Sequence, residues 1–140
     1  GLNSPLGDKL EERNITVKKD FPPDPPLVRV NRKNMEFVFL NLLKNGIESM
    51  ENHGVLRIST RVEKDNYLEI IVSDTGKGIA AEDLKSIYDP FFTSKTSGAG
   101  MGLTIAHKIV KDHNGSINVR SKKGEGTTFT VMLPIFNKTG

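Results

Sequence analysis

The sequence predicts one α/β domain: a two-layer sandwich in which helices pack on one face of a mixed five-stranded sheet. Three observations point there. Five short stretches carry the alternation or β-branched enrichment of strands. Two longer stretches repeat apolar residues at helical spacing. Their interleaved order lets each helical stripe cover one face of a sheet. At 140 residues the chain is long enough to bury one proper core.

Taken in order, Gly1 to Arg13 is polar and reads as a boundary or as the tail of an upstream helix. The domain is therefore expected over residues 15–134, after a lead of 1–14 and before a tail of 135–140. Ile15 to Phe21 alternates and reads as a strand. Asp20 to Pro26 is a stiff connector, because each proline fixes its own φ and disfavours helix in the residue before it. A long helix follows from about Lys33 to Asn52, with Asn31 as its N-cap. Strands at Val55–Val62 and Tyr67–Ser73 are joined by a turn at Lys64-Asp65-Asn66. A short helix near Ala81–Ser86 leads into Tyr88–Gly100, which has no apolar periodicity. Leu103, Ala106, Ile109 and Val110 place a helix over Gly102–His113, stopped by Asn114-Gly115. Strands at Ser116–Ser121 and Thr127–Leu133 close the domain through Gly124-Glu125-Gly126.

Composition narrows the function classes. Hydrophobic residues make up 36% and charged residues 26%, as in ordinary soluble domains. No run approaches the roughly 18 apolar residues of a membrane span, so no membrane contact by this domain is expected. Zero cysteines exclude disulfides and thiolate metal sites and fit a reducing, cytoplasmic setting, with anchoring of a longer parent protein left open. The net charge of +3 is dispersed. Its densest cluster, Arg120-Ser121-Lys122-Lys123, falls at an expected turn. Nucleic-acid binding needs a concentrated phosphate-neutralising patch, and none is visible.

Chemistry concentrates in four patches: Asn41–Met50, Asp74–Ile79, Asp89–Lys95 and Gly98–Leu103. On the long helix, Met35, Phe39, Leu42, Leu43, Ile47 and Met50 form an apolar arc, with Asn41, Asn45, Glu48 and Asn52 opposite. Asn41 and Asn45 are one turn apart and project into the same space. A solvated face would also account for this stripe, although Lys and Glu would form helix better there. An amide oxygen suits Mg²⁺, which keeps waters and shares substrate phosphates.

Asp74 shares strand parity with Leu68, Ile70 and Val72, so its carboxylate faces the core side. A buried carboxylate is costly unless hydrogen-bonded, and a purine's exocyclic amine is a suitable donor. Gly76 and Gly78 would let the backbone turn tightly and approach a flat ring. Asp89–Lys95 pairs Phe91 and Phe92 with polar residues, the composition of a lid anchored by its aromatics. Lys95 is placed to meet phosphate oxygens, and an ordinary core Phe pair beside a loop is the alternative. Gly98-Ala-Gly-Met-Gly102 opens a helix, where free N–H groups and the dipole favour an anion. It is neither a P-loop nor a dinucleotide fingerprint, lacking their context. Thr127, starting the last strand, could complete the hydrogen-bond set around the base with Asp74, although β-propensity alone would also place Thr there. Of the histidines, His113 reads as helix-end packing, and His53 and His107 lack a partner at a telling spacing; none is assigned catalysis.

In this order and spacing the patches resemble the N, G1, F and G2 boxes of the ATP-binding catalytic domain of sensor histidine kinases, in the superfamily shared with DNA gyrase, Hsp90 and MutL. The resemblance runs from about Ile15 to Pro134. It implies a Bergerat-type ATP-binding fold, with ATP and Mg²⁺ between the long helix and the lid. By this comparison Asn45 resembles the metal-binding asparagine, with Asn41 beside it. Asp74 looks like the adenine-reading carboxylate, and Gly76 and Gly78 like the turn beside the base. Gly98, Gly100 and Gly102 look like the glycines around the phosphates, and Thr127 like the residue closing the adenine pocket. Ile79, Phe92, Thr93, Ala99, Met101 and Leu103 complete the expected nucleotide contacts.

Two departures from the family pattern carry meaning. Related ATPases place a water-activating Glu where this chain has Asn41, which is no base, so slow hydrolysis and transfer to another nucleophile are implied. Many histidine kinases carry a Lys or Arg where this chain has Glu48, so neutralisation leans on Mg²⁺, Lys44 or Lys95. The family's acceptor histidine lies on a separate dimerisation domain, and none of His53, His107 or His113 has that context. The resemblance thus implies a monomeric nucleotide-binding half whose partners are a dimerisation and phosphoacceptor domain and a response regulator receiver domain. A serine kinase of the same fold that inhibits a transcription factor, a gyrase-type clamp and a non-catalytic nucleotide sensor are the alternatives.

Overall fold

The computed structural model describes residues 5–23, 26–64, 66–89 and 102–135. Along the chain the elements are α1 (Pro5–Glu12), β1 (Ile15–Asp20), α2 (Arg32–Glu48), β2 (Gly54–Glu63), β3 (Tyr67–Asp74), α3 (Ala81–Leu84), α4 (Gly102–Asp112), β4 (Ser116–Lys122) and β5 (Gly126–Pro134). The five strands form one sheet in the order β1-β2-β3-β5-β4. Only β1 and β2 run parallel, starting with Ile15 opposite Gly54; the other neighbours are antiparallel. The expected mixed five-stranded sheet is therefore present.

Strand parity sorts the two faces. Leu56, Leu68, Val72, Phe129, Val131 and Leu133 turn inward and meet Val38, Leu42 and Ile47 of α2 and Ala106 and Val110 of α4 in one core. The opposite face carries Arg57, Ser73, Thr128 and Arg120 in register across four strands, with a Ser73–Thr128 hydroxyl bond of 3.0 Å. Removing the inward apolar surface from water is the main stabilising term, about 25 cal/mol per Å². Among the described residues no helix is long and apolar enough to cross a membrane.

Helix ends show how local chemistry and tertiary contacts share the work. Asn31 caps α2 as expected, its Oδ1 accepting from the Asn34 N–H at 3.0 Å. Its own N–H donates to His113 Nε2 at 3.0 Å, while His113 Nδ1 lies 2.8 Å from the Ile109 carbonyl oxygen. Since Nε2 accepts, Nδ1 carries the proton. His113 is therefore more than helix-end packing: it bridges the end of α4 to the start of α2.

At its other end α2 stops at Glu48, short of the expected Asn52. The reason is Ser49. Its hydroxyl contacts the Gly46 carbonyl oxygen at 2.8 Å and Asp74 Oδ1 at 3.1 Å, and its carbonyl accepts from Lys77 N–H at 3.1 Å. These bonds draw the chain toward the sheet, so Met50 is buried beyond the helix and Asn52 leaves the polar helix face. The basic cluster is also displaced from the turn, because β4 runs through Lys122.

Arg13, between α1 and β1, finishes the same helix end. Its Nη1 lies 3.1, 3.4 and 3.3 Å from the carbonyl oxygens of Ile47, Glu48 and Met50. A cation there meets the negative end of the helix dipole and carbonyls that lack intrahelical donors. Leu10 of α1 packs on the core. Arg13→Ala should cost about 1–2 kcal/mol, read as a lower midpoint in urea with an unchanged slope. A midpoint equal to the parent's would remove this capping role.

Candidate functional site

Four residues lie opposite one another on adjacent strands, all facing the helix layer: Leu56, Asp74, Thr127 and Ser121. Asp74 ends β3, where the sheet meets the end of α2. It is 9% exposed and Thr127 is 6% exposed. Asp74 Oδ1 accepts from Gly76 N–H at 2.8 Å, from Thr127 N–H at 3.3 Å and, at 3.1 Å, from the Ser49 hydroxyl, which shares its one proton with the Gly46 carbonyl. Burial pushes the carboxyl above its ordinary value, and the donors from Gly76, Ser49 and Thr127 offset part of that rise. The three bonds converge on Oδ1. Oδ2 lies on the side of Gly46, 3.5 Å from where a β-carbon on that glycine would stand.

Gly46 explains how a helix comes so close to a carboxylate. A β-carbon there would come 2.9 Å from Leu56 Cδ1 and 3.5 Å from Asp74 Cβ. Glycine inside a helix costs about 1 kcal/mol relative to alanine, and here it admits the approach of α2 to the site.

The loop after β3 is pinned from both sides. Lys77 N–H donates to the Ser49 carbonyl at 3.1 Å, and Gly124 N–H donates to the Lys77 carbonyl at 2.6 Å. Ile79 N–H donates to the Ser121 hydroxyl at 2.7 Å. Gly78 adopts φ 73°, and a β-carbon on it would overlap the Lys122 carbonyl. A β-carbon on Gly76 would likewise overlap Ser49. Ser49 at the end of α2 lies against Gly76, and the Lys122–Lys123 backbone lies against Gly78, so each glycine admits the close approach of a neighbouring element.

On α2, Asn41 and Asn45 are partly exposed, Lys44 is exposed and Glu48 is partly exposed. Asn41 Nδ2 donates to the Phe37 carbonyl at 2.9 Å, leaving its amide oxygen as the outward acceptor. A carboxylate could not make that bond. Among the described residues no group of three or more His, Cys, Asp or Glu side chains could hold a metal. A hard ion here would rely on the amide oxygen of Asn45 and on oxygens brought by a ligand. That donor set fits magnesium, which dehydrates reluctantly and takes few protein ligands.

Gly102 is buried at the start of α4, and Ile79 and Leu103 pack against the core. Phe92, Thr93, Lys95, Gly98, Ala99, Gly100 and Met101 lie outside the described residues, as does Phe91. The structure thus brings Asp74, Gly76, Gly78, Ile79 and Thr127 together, with the Asn41–Asn45 stripe on the adjoining helix. Just before the undescribed stretch, Tyr88 stacks on His107 with ring centroids 4.6 Å apart, and its carbonyl accepts from the Thr104 hydroxyl at 2.6 Å. Among the described residues the buried Tyr88 hydroxyl has no partner, and burial pushes its pKa up to about 12.

Three residues of this site escape sequence reasoning: Gly46, Ser49 and Ser121. A signal existed for Gly46, since an interior helix glycine marks a close approach. Ser121 could be found only by counting the last hairpin's register, which sets it opposite Thr127. Ser49 offers no local signal, because its partner is on another element.

Comparison with known proteins agrees with this geometry. Residues 30–137 match the family described as histidine kinase-, DNA gyrase B-, and HSP90-like ATPase. The chain is 42% identical over 130 residues to the sensor histidine kinase ZraS of Escherichia coli (strain K12), covering 93% of this chain and 28% of that protein. It is 38% identical over 123 residues to sporulation kinase C of Bacillus subtilis (strain 168), covering 87% of this chain and 28% of that protein. The chain therefore spans little more than a quarter of these relatives. Among solved structures, the catalytic domain of histidine kinase ThkA superposes with a TM-score of 0.82 at 29% identity, covering 93% of this chain and 85% of that one. The fold and the matched residues agree: the chain belongs to the family of histidine kinase-, DNA gyrase B-, and HSP90-like ATPases.

Proposed function

We propose that this chain binds Mg–ATP and presents its γ-phosphoryl to a histidine on a separate dimerisation domain, as one module of a two-component sensor kinase. The observation that carries this reading is Asp74: a buried carboxylate with one oxygen saturated by protein donors and the other turned toward Gly46. A purine amine meets the need of that second oxygen for a donor. The relatives named above are sensor and sporulation kinases, which favours a phosphoryl donor over a clamp.

Phosphoryl transfer asks mainly for positioning and charge neutralisation. Asp74 and Thr127 orient the base. Asn45 would hold magnesium, whose part is to neutralise phosphate charge. Lys44 and Lys95 are the cations that the sequence offers for the phosphates, and Glu48 lies one turn from Lys44 on α2. An imidazole acceptor is already a nucleophile, so the absence of a base at Asn41 suits transfer and slows attack by water. The proposed functional unit is residues 15–134, and a receiver domain would take the phosphoryl onward.

With terminally labelled ATP and Mg²⁺, the chain should transfer label to a supplied dimerisation domain carrying its histidine. Steady-state hydrolysis without that domain should be at least about a hundred-fold slower than the transfer. Fast hydrolysis with no transfer would instead indicate a clamp ATPase. Binding with neither reaction would leave a nucleotide sensor, and label on serine would indicate a serine kinase.

A further inference from the structure

The Ser121 hydroxyl makes three hydrogen-bond contacts: Ile79 N–H at 2.7 Å, the Gly126 carbonyl oxygen at 2.9 Å and Thr127 Oγ1 at 2.8 Å. A serine hydroxyl has one proton and two lone pairs. The Ile79 amide can only donate, so it takes one lone pair. The Gly126 carbonyl can only accept, so it takes the single proton. What remains for Thr127 is the second lone pair, and Thr127 must therefore donate its own proton to Ser121.

We infer that Ser121 is a positioning residue for base selectivity: by holding the Thr127 proton, it makes Thr127 a pure acceptor beside Asp74. This rests on the adenine reading of Asp74. Thr127 stands directly opposite Asp74 on the neighbouring strand, so these two side chains offer a ligand two acceptors and no donor. Adenine presents an amine with two protons at that edge. Hypoxanthine replaces the amine with a carbonyl and protonates the adjacent ring nitrogen, inverting the pattern. A water that gives one proton to Thr127 has its other for the unprotonated ring nitrogen of adenine, and meets a like donor in hypoxanthine. Without Ser121, the Thr127 hydroxyl turns freely and can donate, so this part of the discrimination is lost.

The test compares the affinities of ATP and inosine triphosphate for the parent chain and three variants. The parent should prefer ATP, and Ser121→Ala should reduce that preference about ten-fold, a change of about 1.4 kcal/mol. Ser121→Thr keeps a hydroxyl and should restore the preference. Thr127→Val should reduce it equally, and adding Ser121→Ala to Thr127→Val should reduce it no further. A merely structural role would weaken both nucleotides alike, so a Ser121→Ala protein with the parent's ratio overturns the inference while leaving the adenine reading intact. If Ser121→Ala does not fold, the ratio in Thr127→Val decides, and the parent's value there overturns the inference. Equal binding of both nucleotides by the parent would sink the adenine reading, and this inference with it.

Discussion

Replacing Asp74 with asparagine should leave the fold standing and sharply weaken ATP binding. The variant keeps an oxygen where Oδ1 accepts from Gly76, Ser49 and Thr127, so the bonds that organise the loop survive. It puts an amide donor where Oδ2 stood, toward Gly46. An adenine amine then meets a donor in place of an acceptor, which should weaken ATP on the order of a hundred-fold.

Stability should move the other way. The folded carboxyl lies above its unfolded value of 3.8, with burial the largest cause. A raised acid favours the fold most below the unfolded value and loses that contribution as pH rises through the folded value. At neutral pH the parent therefore carries a cost that asparagine lacks, and the variant should melt at the parent's temperature or above. ATP affinity of the parent should fall on acidification through the raised value, while the variant stays flat. A variant that binds ATP as the parent does, in the presence of Mg²⁺, would remove Asp74 from the base pocket.

Asn45→Ala is the second large effect. The side chain is partly exposed on α2, outside the core. Alanine is the better helix former by about half a kcal/mol, so thermal stability should hold or rise slightly. Mg²⁺-dependent ATP affinity should fall on the order of a hundred-fold, because one of the few protein oxygens available to the ion is gone. Affinity measured with a chelator should be the same in variant and parent. The pair of titrations separates a lost metal ligand from a damaged pocket: a loss of equal size with and without Mg²⁺ would end the metal assignment.

Much of the fold is legible in the chain because its determinants are local. Alternation marks β1 and β3, and Asn31 marks the start of α2 by bonding its own neighbour, Asn34. The parity of Asp74 with Leu68 and Val72 is a property of any strand, and it places the carboxylate on the buried face. Where the expectation strays, a distant partner is responsible. Glu48 rather than Asn52 ends α2 because Ser49 turns toward Asp74 and Lys77. His113 looks like packing until Asn31, 82 positions away in sequence, presents an amide to it. The strand order, with β5 inserted between β3 and β4, has no local signature.

By itself the sequence determined which chemical groups were available: the Asn41–Asn45 stripe, a carboxylate at a strand end, glycines at the loops and a threonine opening the last strand. Only the tertiary structure decided how their protons and lone pairs are shared. Ser49 and Thr127 reach Asp74 across 25 and 53 positions, and Ile79 reaches Ser121 across 42. A hydrogen bond forms only when donor and acceptor come within about 3 Å, and at such separations the sheet register and the pinned loop set that distance. Residue types could therefore nominate the groups, while the direction of each bond between them waited on the fold.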